Sequence, residues 1–83
     1  MIEEATDPPD RARTLARVRA GEDLLTVHDV AGMIRTPVST VRYWRHCRSG
    51  PPSFKLGRRV VYWREDVEGW IADQQDREWN RAG

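Results

Sequence analysis

Two short blocks of apolar residues at helical spacing lie in the middle of the chain, and a proline separates them. The first block follows the i, i+3, i+4, i+7 pattern of one buried helix face, at Val27, Val30, Ala31 and Ile34. Thr26, with Asp29 three residues later, predicts a capping box at the start of that helix. Pro37 ends the block, because the residue before a proline avoids helical geometry. We expect Thr36 to cap a second helix that begins at Pro37.

The second predicted helix separates its residues onto an apolar side and a polar side. Val41 and Trp44 mark the side that we expect to face the core, with Val38 and Cys47 on its flanks. The opposite side carries Ser39, Arg42, Tyr43 and His46. Two short helices joined by a turn of about three residues are typical of a helix-turn-helix.

The helical pattern gives way to strand-like alternation after a Gly-Pro-Pro loop at residues 50–52. Residues 54–56 and 60–62 alternate between apolar and polar sides, which predicts two strands. The turn between them consists of Gly57, Arg58 and Arg59. The pattern therefore predicts a β-hairpin, or wing, with two arginines at its tip.

Two residues of the second strand are apolar on the side that should face away from the core. Val61 and Trp63 are expected to point away from Val60 and Tyr62, since strand side chains alternate. If no other segment covers them, Val61 and Trp63 form an exposed apolar patch. Our hypothesis is that this patch packs on the N-terminal helix or on a neighbouring copy of the chain.

Helices are also predicted towards both ends of the chain. Glu65 and Asp66 favour a helix that begins near Arg64 and continues to about Trp79, because acids stabilise the positive end of a helix. Its apolar face is supplied by Val67, Trp70 and Ile71. The range from about residue 10 to residue 20 predicts an arginine-rich helix with a thin apolar stripe, which we expect to dock partly on the domain.

These elements together define the expected fold and its boundaries. Residues 1–23 are expected to comprise a disordered acidic lead and the arginine-rich helix. Residues 24–83 are expected to form one mainly α domain with a small β-hairpin, in the order helix, turn, helix, wing, helix. We therefore predict a winged helix-turn-helix with an extra N-terminal helix.

Positive charge is concentrated in the same region as these motifs. Residues 35–63 contain seven Arg and Lys and no Asp or Glu, and the remaining residues sum to −6, so the net charge is only +1. Exposed charges act over about 8 Å at physiological salt, so a polyanion meets the local patch and not the net charge. We favour a DNA-binding surface, and a solvated basic face is the alternative.

Individual side chains in this segment suit contacts with DNA. Ser39 and Thr40 lie in the first turn of the second helix and suit phosphate contacts, although Thr40 also suits ordinary capping. Arg42 suits a base edge or a phosphate, and arginines at the hairpin tip suit a narrow minor groove, which concentrates negative potential. For Tyr43 a core position stays open, as does a plain exposed helix end for His46. The predicted DNA-binding residues are Ser39, Thr40, Arg42, Tyr43, Arg45, His46, Arg48, Lys55, Arg58 and Arg59.

The sequence shows no residues arranged for catalysis, for cofactor binding or for metal binding. A chain of 83 residues lacks room for a deep, water-excluding pocket, and it has no nucleophile–base pair or glycine-rich phosphate loop. We therefore predict that it is not an enzyme and that it binds no cofactor. His28, His46 and Cys47 do not have the spacing of a metal site. The single cysteine fits a reducing cytoplasm, and no segment has the pattern of a membrane span or a signal peptide.

An ordered series of short segments runs through about residues 24–72. The segments are Leu25-Thr26-Val27 with Val30-Ala31, Ser39 to Trp44, Gly50-Pro51-Pro52, Phe54 to Val60, Tyr62, Glu65-Asp66-Val67 and Trp70-Ile71. Their combination resembles the small winged helix-turn-helix proteins of the phage excisionase class (recombination directionality factors), which are related to the DNA-binding head of mercury-resistance, or MerR-like, regulators. Arg35 stands where the family usually has a turn glycine, and Pro37 stands at the N-cap serine position. We expect a slightly altered turn.

The resemblance implies a DNA-binding architectural protein. In that family the second helix enters the major groove, and the wing reaches the neighbouring minor groove. Members bind adjacent sites on double-stranded DNA cooperatively beside their own copies, bend the DNA and direct an integrase toward excision, which implies a cytoplasmic location in a bacterial host.

Two alternatives to the excisionase stay open. The first is a small transcriptional regulator with the same fold. Regulators of the mercury type usually have an effector domain or a long dimerisation helix, and because we recognise neither in the sequence, we favour the excisionase. The second is a protein-interaction module whose arginines bind an acidic partner.

Overall fold

The computed structural model describes residues 11–82, and the predicted acidic lead lies outside the described residues. Within them lie four helices and a small three-stranded antiparallel sheet, an arrangement compatible with a small winged-helix domain. In chain order the elements are α1 (Arg11–Arg19), β1 (Leu24–Thr26), α2 (Val27–Met33), α3 (Val38–His46), β2 (Phe54–Leu56), β3 (Arg59–Trp63) and α4 (Arg64–Ala82). The mainly helical fold with its hairpin is confirmed.

The sheet has one strand more than the predicted hairpin. Its order is β1-β3-β2, and both pairings are antiparallel. In the register, Leu25 lies opposite Tyr62, and Phe54 lies opposite Val61. The predicted hairpin is present as β2 and β3, and the additional strand β1 was missed because its three residues are too few to show the alternation by which a strand is recognised. Because β1 runs directly into α2, it ties the start of that helix to the central strand.

The core lies between the helices α2, α3 and α4 and one face of the sheet. Its most deeply buried side chains, each less than 2% exposed, are Val30, Val41, Tyr62 and Val67. These residues come from the predicted apolar faces, which the structure confirms. Trp44 departs from the prediction of a core position, since it is half-buried and lies outside the core cluster. Its ring packs on Trp70 with 5.5 Å between centroids, as befits an indole, which is seldom buried on all sides.

The ends of the two central helices agree with the sequence in one case and differ in the other. The capping box at α2 is confirmed, because the Asp29 N–H donates to Thr26 Oγ1 at 3.1 Å and the Thr26 N–H donates to Asp29 Oδ2 at 2.9 Å. The backbone hydrogen bond from Thr26 lowers the pKa of Asp29 below its ordinary value. Thr36 does not cap α3. Its hydroxyl donates to the Ile34 carbonyl at 3.1 Å, and Pro37, in extended geometry, holds the N-cap position.

The second face of the sheet is covered within the chain. Val61 and Trp63, which the sequence predicts to be exposed unless another segment covers them, are only 5% and 6% exposed. The ring of Phe54 lies 5.9 Å from that of Trp63, and the Arg17 guanidinium lies 4.8 Å from the centre of the Trp63 ring. The first alternative of the hypothesis, packing on the N-terminal helix, is confirmed at Trp63, where Arg17 of α1 supplies the cover. Self-association or partner binding through these two residues would require that they first be uncovered.

Arg17 also ties α1 to the start of α4. It donates to both carboxylate oxygens of Asp66, at 2.9 and 3.3 Å, and to Glu22 at 3.0 Å. Glu65 lies 3.9 Å away, and the Arg17 side chain is only 16% exposed. The hydrogen bonds to Asp66 raise the pKa of Arg17 above its ordinary value. Partial docking of the N-terminal helix, as the sequence predicts, is achieved mainly by this one arginine.

Candidate nucleic-acid interface

A groove runs between α3, the hairpin tip and the start of α2, and we name it the basic groove. Its volume is about 640 Å³. The lining residues are Thr26, Val27, His28, Arg42, Arg45, His46, Arg58, Arg59, Val60 and Tyr62. Four arginines and two histidines thus face one space, and none of the residues that line it is an Asp or a Glu. The groove brings the predicted helix residues and the predicted wing residues together.

The helix side of the basic groove follows from helical spacing. Arg42, Arg45 and His46 stand at i, i+3 and i+4 on α3, so their side chains project from the same side. Val41, one residue before Arg42, points into the core and is 1% exposed. Burial of Val41 therefore fixes the rotation of α3 and aims the basic side chains at the wing.

The wing side depends on a tight turn. β2 ends at Leu56 and β3 begins at Arg59, which leaves Gly57 and Arg58 as the two turn residues. Gly57 has a φ of 67°, in the left-handed region that glycine adopts without strain. A two-residue turn with a glycine of positive φ in its first position matches the right-handed twist of the strands. The turn holds Arg58 and Arg59 at the tip, where both are exposed.

Arg45 is anchored more firmly than the other groove arginines. Its Nε donates to the Ser53 hydroxyl at 3.0 Å, and its side chain is half-buried. Burial raises the pKa of Tyr62, while the charge of Arg45 and a hydrogen bond with Ser53 act in the opposite direction. Arg45 thus connects α3 with the 48–53 loop and with β3. The predicted phosphate contact at this residue shares the side chain with a structural role.

The groove arginines have no carboxylate partners in the part of the chain that the structure describes. Across residues 11–82, the ion pairs use Arg17, Arg64 and Arg81. All three lie outside the acid-free segment 35–63. No carboxylate within residues 11–82 therefore neutralises the guanidinium groups of the basic groove, and their charge is available to a bound polyanion.

The basic surface continues past the groove along the loop after α3. A second depression is lined by Arg45, His46, Arg48 and residues 49–53. It shares Arg45 and His46 with the basic groove, so the two form one continuous surface. The predicted residue Arg48 lines this depression and is exposed.

The remaining predicted residues lie close to this surface without lining it. Tyr43 is 65% exposed, which decides against a core position. Ser39 is exposed and Thr40 is half-buried, both in the first turn of α3. Lys55 lies opposite Val60 in the strand register, so it is on the sheet face that borders the basic groove.

Five residues that line the groove are not among the predicted DNA-binding residues: Thr26, Val27, His28, Val60 and Tyr62. Thr26 and His28 flank the start of α2 and line the basic groove beside the wing arginines. The capping box signals where α2 begins, but it does not show that this end faces the hairpin. That placement follows from the pairing of β1 with β3, which the sequence pattern does not reveal.

Searches for other kinds of site and for relatives give negative results. Residues 11–82 contain no group of three or more His, Cys, Asp or Glu that could hold a metal ion. Within the same residues, no helix combines the length and apolar character needed to cross a bilayer. Comparison of the chain with models of protein families, with curated proteins and with solved structures finds no match in any of the three.

Proposed function

We propose that the protein binds double-stranded DNA through the basic groove. The observation that carries this proposal is that Arg42 and Arg45 of α3 share one surface with Arg58 and Arg59 of the wing tip. None of the four has a carboxylate partner within residues 11–82. Lysine and arginine side chains that replace condensed counterions supply nearly all of the free energy of non-specific duplex binding and a large share of that of specific binding.

The shape of α3 supports its insertion into a major groove. An α-helix with its side chains is about 10–12 Å wide, and the major groove is about 12 Å wide. The exposed residues of α3 form a strip at i, i+3, i+4 and i+7, which consists of Ser39, Arg42, Tyr43 and His46. In the proposed complex Arg42 contacts a base edge or a phosphate, and the two wing arginines enter the adjoining minor groove.

Within DNA binding, we propose the architectural role of an excisionase. The helix pair followed by a short hairpin and a final helix is the order that the resemblance to this class implies. In this role, copies of the chain fill adjacent sites, the DNA bends, and an integrase is directed toward excision. The small size of the domain and its polarised charge suit a protein that holds a bent complex together.

A small transcriptional regulator is the second candidate, and α4 favours it. This helix has 19 residues, or about 28 Å, and it continues past the core. Ile71 and Trp79 on it are 38% and 78% exposed. An exposed tryptophan on a projecting helix supplies an apolar contact for a second copy, as expected in a regulator that dimerises through a helix.

Footprinting and bending assays across a phage attachment junction test the proposed function. The excisionase predicts several adjacent protected sites, a bend, and a supershifted complex that requires integrase. A single protected operator at a promoter would instead support the regulator.

Arg42→Ala and Arg58→Ala should each make the plot of log K against log salt less steep by about 0.9. Arg19→Ala, which removes an exposed charge of α1, is the control and should leave the slope unchanged. Absence of salt-dependent duplex binding would refute DNA binding.

A further inference from the structure

Three helices of the chain end in the same hydrogen-bonded motif. At the end of α1, the Gly21 N–H donates to the Val18 carbonyl at 3.0 Å and the Glu22 N–H donates to the Arg17 carbonyl at 3.1 Å. This pair of backbone bonds defines a Schellman motif, in which the residue just past the helix end takes a left-handed conformation. Gly21, with a φ of 74°, occupies that position in α1.

The helices α2 and α3 end in the same motif with arginine at the left-handed position. After α2, the Arg35 N–H donates to Gly32 at 3.3 Å and the Thr36 N–H to Ala31 at 2.9 Å. After α3, the Arg48 N–H donates to Arg45 at 3.1 Å and the Ser49 N–H to Trp44 at 2.8 Å. The φ angles of Arg35 and Arg48 are 56° and 59°. We name these two residues the left-handed arginines.

The choice of arginine at these positions is unfavourable for folding. A side chain in the left-handed region brings Cβ close to the following carbonyl oxygen, which glycine avoids. The other residues with positive φ in the described part of the chain are all glycines, at 21, 50 and 57. Asn, Asp and His are the non-glycine residues enriched in this conformation, and arginine is not among them.

Contacts within the fold do not explain why arginine occupies these two left-handed positions. Both side chains are exposed, and neither makes an ion pair or a side-chain hydrogen bond in the part of the chain that the structure describes. Both belong to the acid-free segment 35–63. The Schellman bonds require the left-handed conformation but not an arginine, so a strained arginine that no side-chain contact compensates points to a role outside the fold.

The positions of the two residues relative to α3 suggest that role. Arg35 lies three residues before Val38, the first residue of α3, and Arg48 lies two residues after its last residue, His46. Nine helical residues span about 14 Å, so a helix of this length contacts base edges only over the short stretch that lies in the groove. Charges just beyond both ends of such a helix lie near the phosphate walls and not over the base edges.

We propose that Arg35 and Arg48 are phosphate contacts that bracket α3 on the duplex and are retained at a cost in stability. The proposal rests on the proposed function, because it assumes that α3 enters a DNA groove. It adds Arg35 to the interface and assigns Arg48 a defined place in it. The arginines fix the depth and register of α3, while the exposed strip of α3 contacts the bases.

Glycine variants separate the two roles of these positions. Arg35→Gly and Arg48→Gly should each raise Tm by several degrees, because glycine adopts the left-handed conformation without strain. Each should also weaken duplex binding about eightfold at 0.1 M salt and make the salt slope less steep by about 0.9, the contribution of one phosphate contact. Arg35→Lys and Arg48→Lys keep the charge and the strained conformation, so they should leave both Tm and the salt slope near the wild-type values.

A control substitution on α1 and three distinct outcomes make the result unambiguous. Arg19→Ala removes an exposed charge on α1 and should change neither the salt slope nor the affinity more than twofold. Tight wild-type binding with unchanged binding by the glycine variants would overturn this proposal and leave the proposed function standing. Unchanged or lowered Tm in the glycine variants would also overturn it, since the arginines would then carry no strain. Failure of the wild-type chain to bind duplex DNA would instead overturn the proposed function itself.

Discussion

Replacement of Arg17 by Met tests how α1 is held on the domain. The substitution keeps an unbranched side chain over the Trp63 ring and removes the guanidinium group. In the wild-type structure that group donates to Asp66 at 2.9 and 3.3 Å and to Glu22 at 3.0 Å, and it lies 4.8 Å from the centre of the Trp63 ring. One side chain thus joins α1, the sheet and the start of α4.

The expected loss of stability follows from these contacts. The cation–π contact contributes about 0.5–1 kcal/mol, and the two-point pair with Asp66 contributes about 1–2 kcal/mol, since hydrogen bonds between charged groups are stronger than neutral ones. Asp66 and Glu22 are 31% and 25% exposed, so both rehydrate in the variant and no isolated buried charge remains. We therefore expect a decrease of about 2 kcal/mol in the free energy of unfolding, or about 8–16 °C in Tm.

Thermal and urea unfolding of Arg17→Met and of Arg19→Met measure this effect. Arg19 lies on the same helix, is exposed, and makes no ion pair within residues 11–82, so its variant should stay within about 0.5 kcal/mol of wild type. Because Arg17 lies on the sheet face opposite the basic groove, Arg17→Met should keep the wild-type salt slope of DNA binding. Equal stability of the two variants would refute the assignment of α1 docking to Arg17.

Three further substitutions and one pH dependence follow from the fold. Gly50→Ala should destabilise the domain by about 1–2 kcal/mol, because Gly50 has a φ of 79° and an added Cβ would lie 3.0 Å from Trp44. Gly69→Ala should stabilise the domain by about 0.5–1 kcal/mol, because a Cβ added at this exposed position of α4 would meet no atom within 4 Å. The melting temperatures of the two glycine variants check both expectations. Thr26→Ala should cost about 1 kcal/mol in urea unfolding through loss of the α2 cap. Because folding lowers the pKa of Asp29, its carboxylate stabilises the fold above the unfolded-state pKa, and this stabilisation is lost as the pH falls through the folded-state pKa. The free energy of unfolding of Asp29→Asn should therefore depend less on pH below about pH 4 than that of the wild type, which acid titration measures.

Elements that carry a strong local signal were predictable from the sequence. The capping box of Thr26 and Asp29 forms as expected, and the apolar period of α2 faces the core. The hairpin tip at Arg58 and Arg59 also follows from local chemistry, because a single glycine of positive φ suffices for the turn. In each case the residues that determine the structure lie within a few positions of one another.

Contacts between distant parts of the chain were not predictable in the same way. Trp63 is buried because Arg17, 46 positions earlier, crosses over its ring. A contact made by one arginine leaves no repeating pattern in the sequence from which it could be predicted. β1 was missed for a related reason: its three residues form a strand only because β3 lies beside them. The sequence predicts a core position for Trp44, since a large indole ring favours burial. In the structure, Trp70 and the loop at Gly50 cover only part of that ring.

The candidate site was predicted in composition more than in geometry. Five of the ten predicted residues, Arg42, Arg45, His46, Arg58 and Arg59, line the basic groove. Charge and the order of the elements were sufficient to select them. Thr26 and His28 were missed because their place beside the wing depends on the sheet. The significance of the left-handed arginines required backbone angles, which a sequence does not display.

Affinity cleavage of a footprinted duplex tests most directly whether α3 and the wing contact the same DNA from adjoining grooves. Cys47 is free and exposed just after α3, so an iron chelate attached to it reports the position of that helix. The same chelate on a Leu56→Cys, Cys47→Ser variant reports the position of the wing, since Leu56 is 54% exposed at the end of β2. We predict two cleavage centres on one duplex, about half a helical turn or 5 base pairs apart. Cleavage from only one of the two positions, or from neither, would contradict the claim that α3 and the wing contact the same duplex.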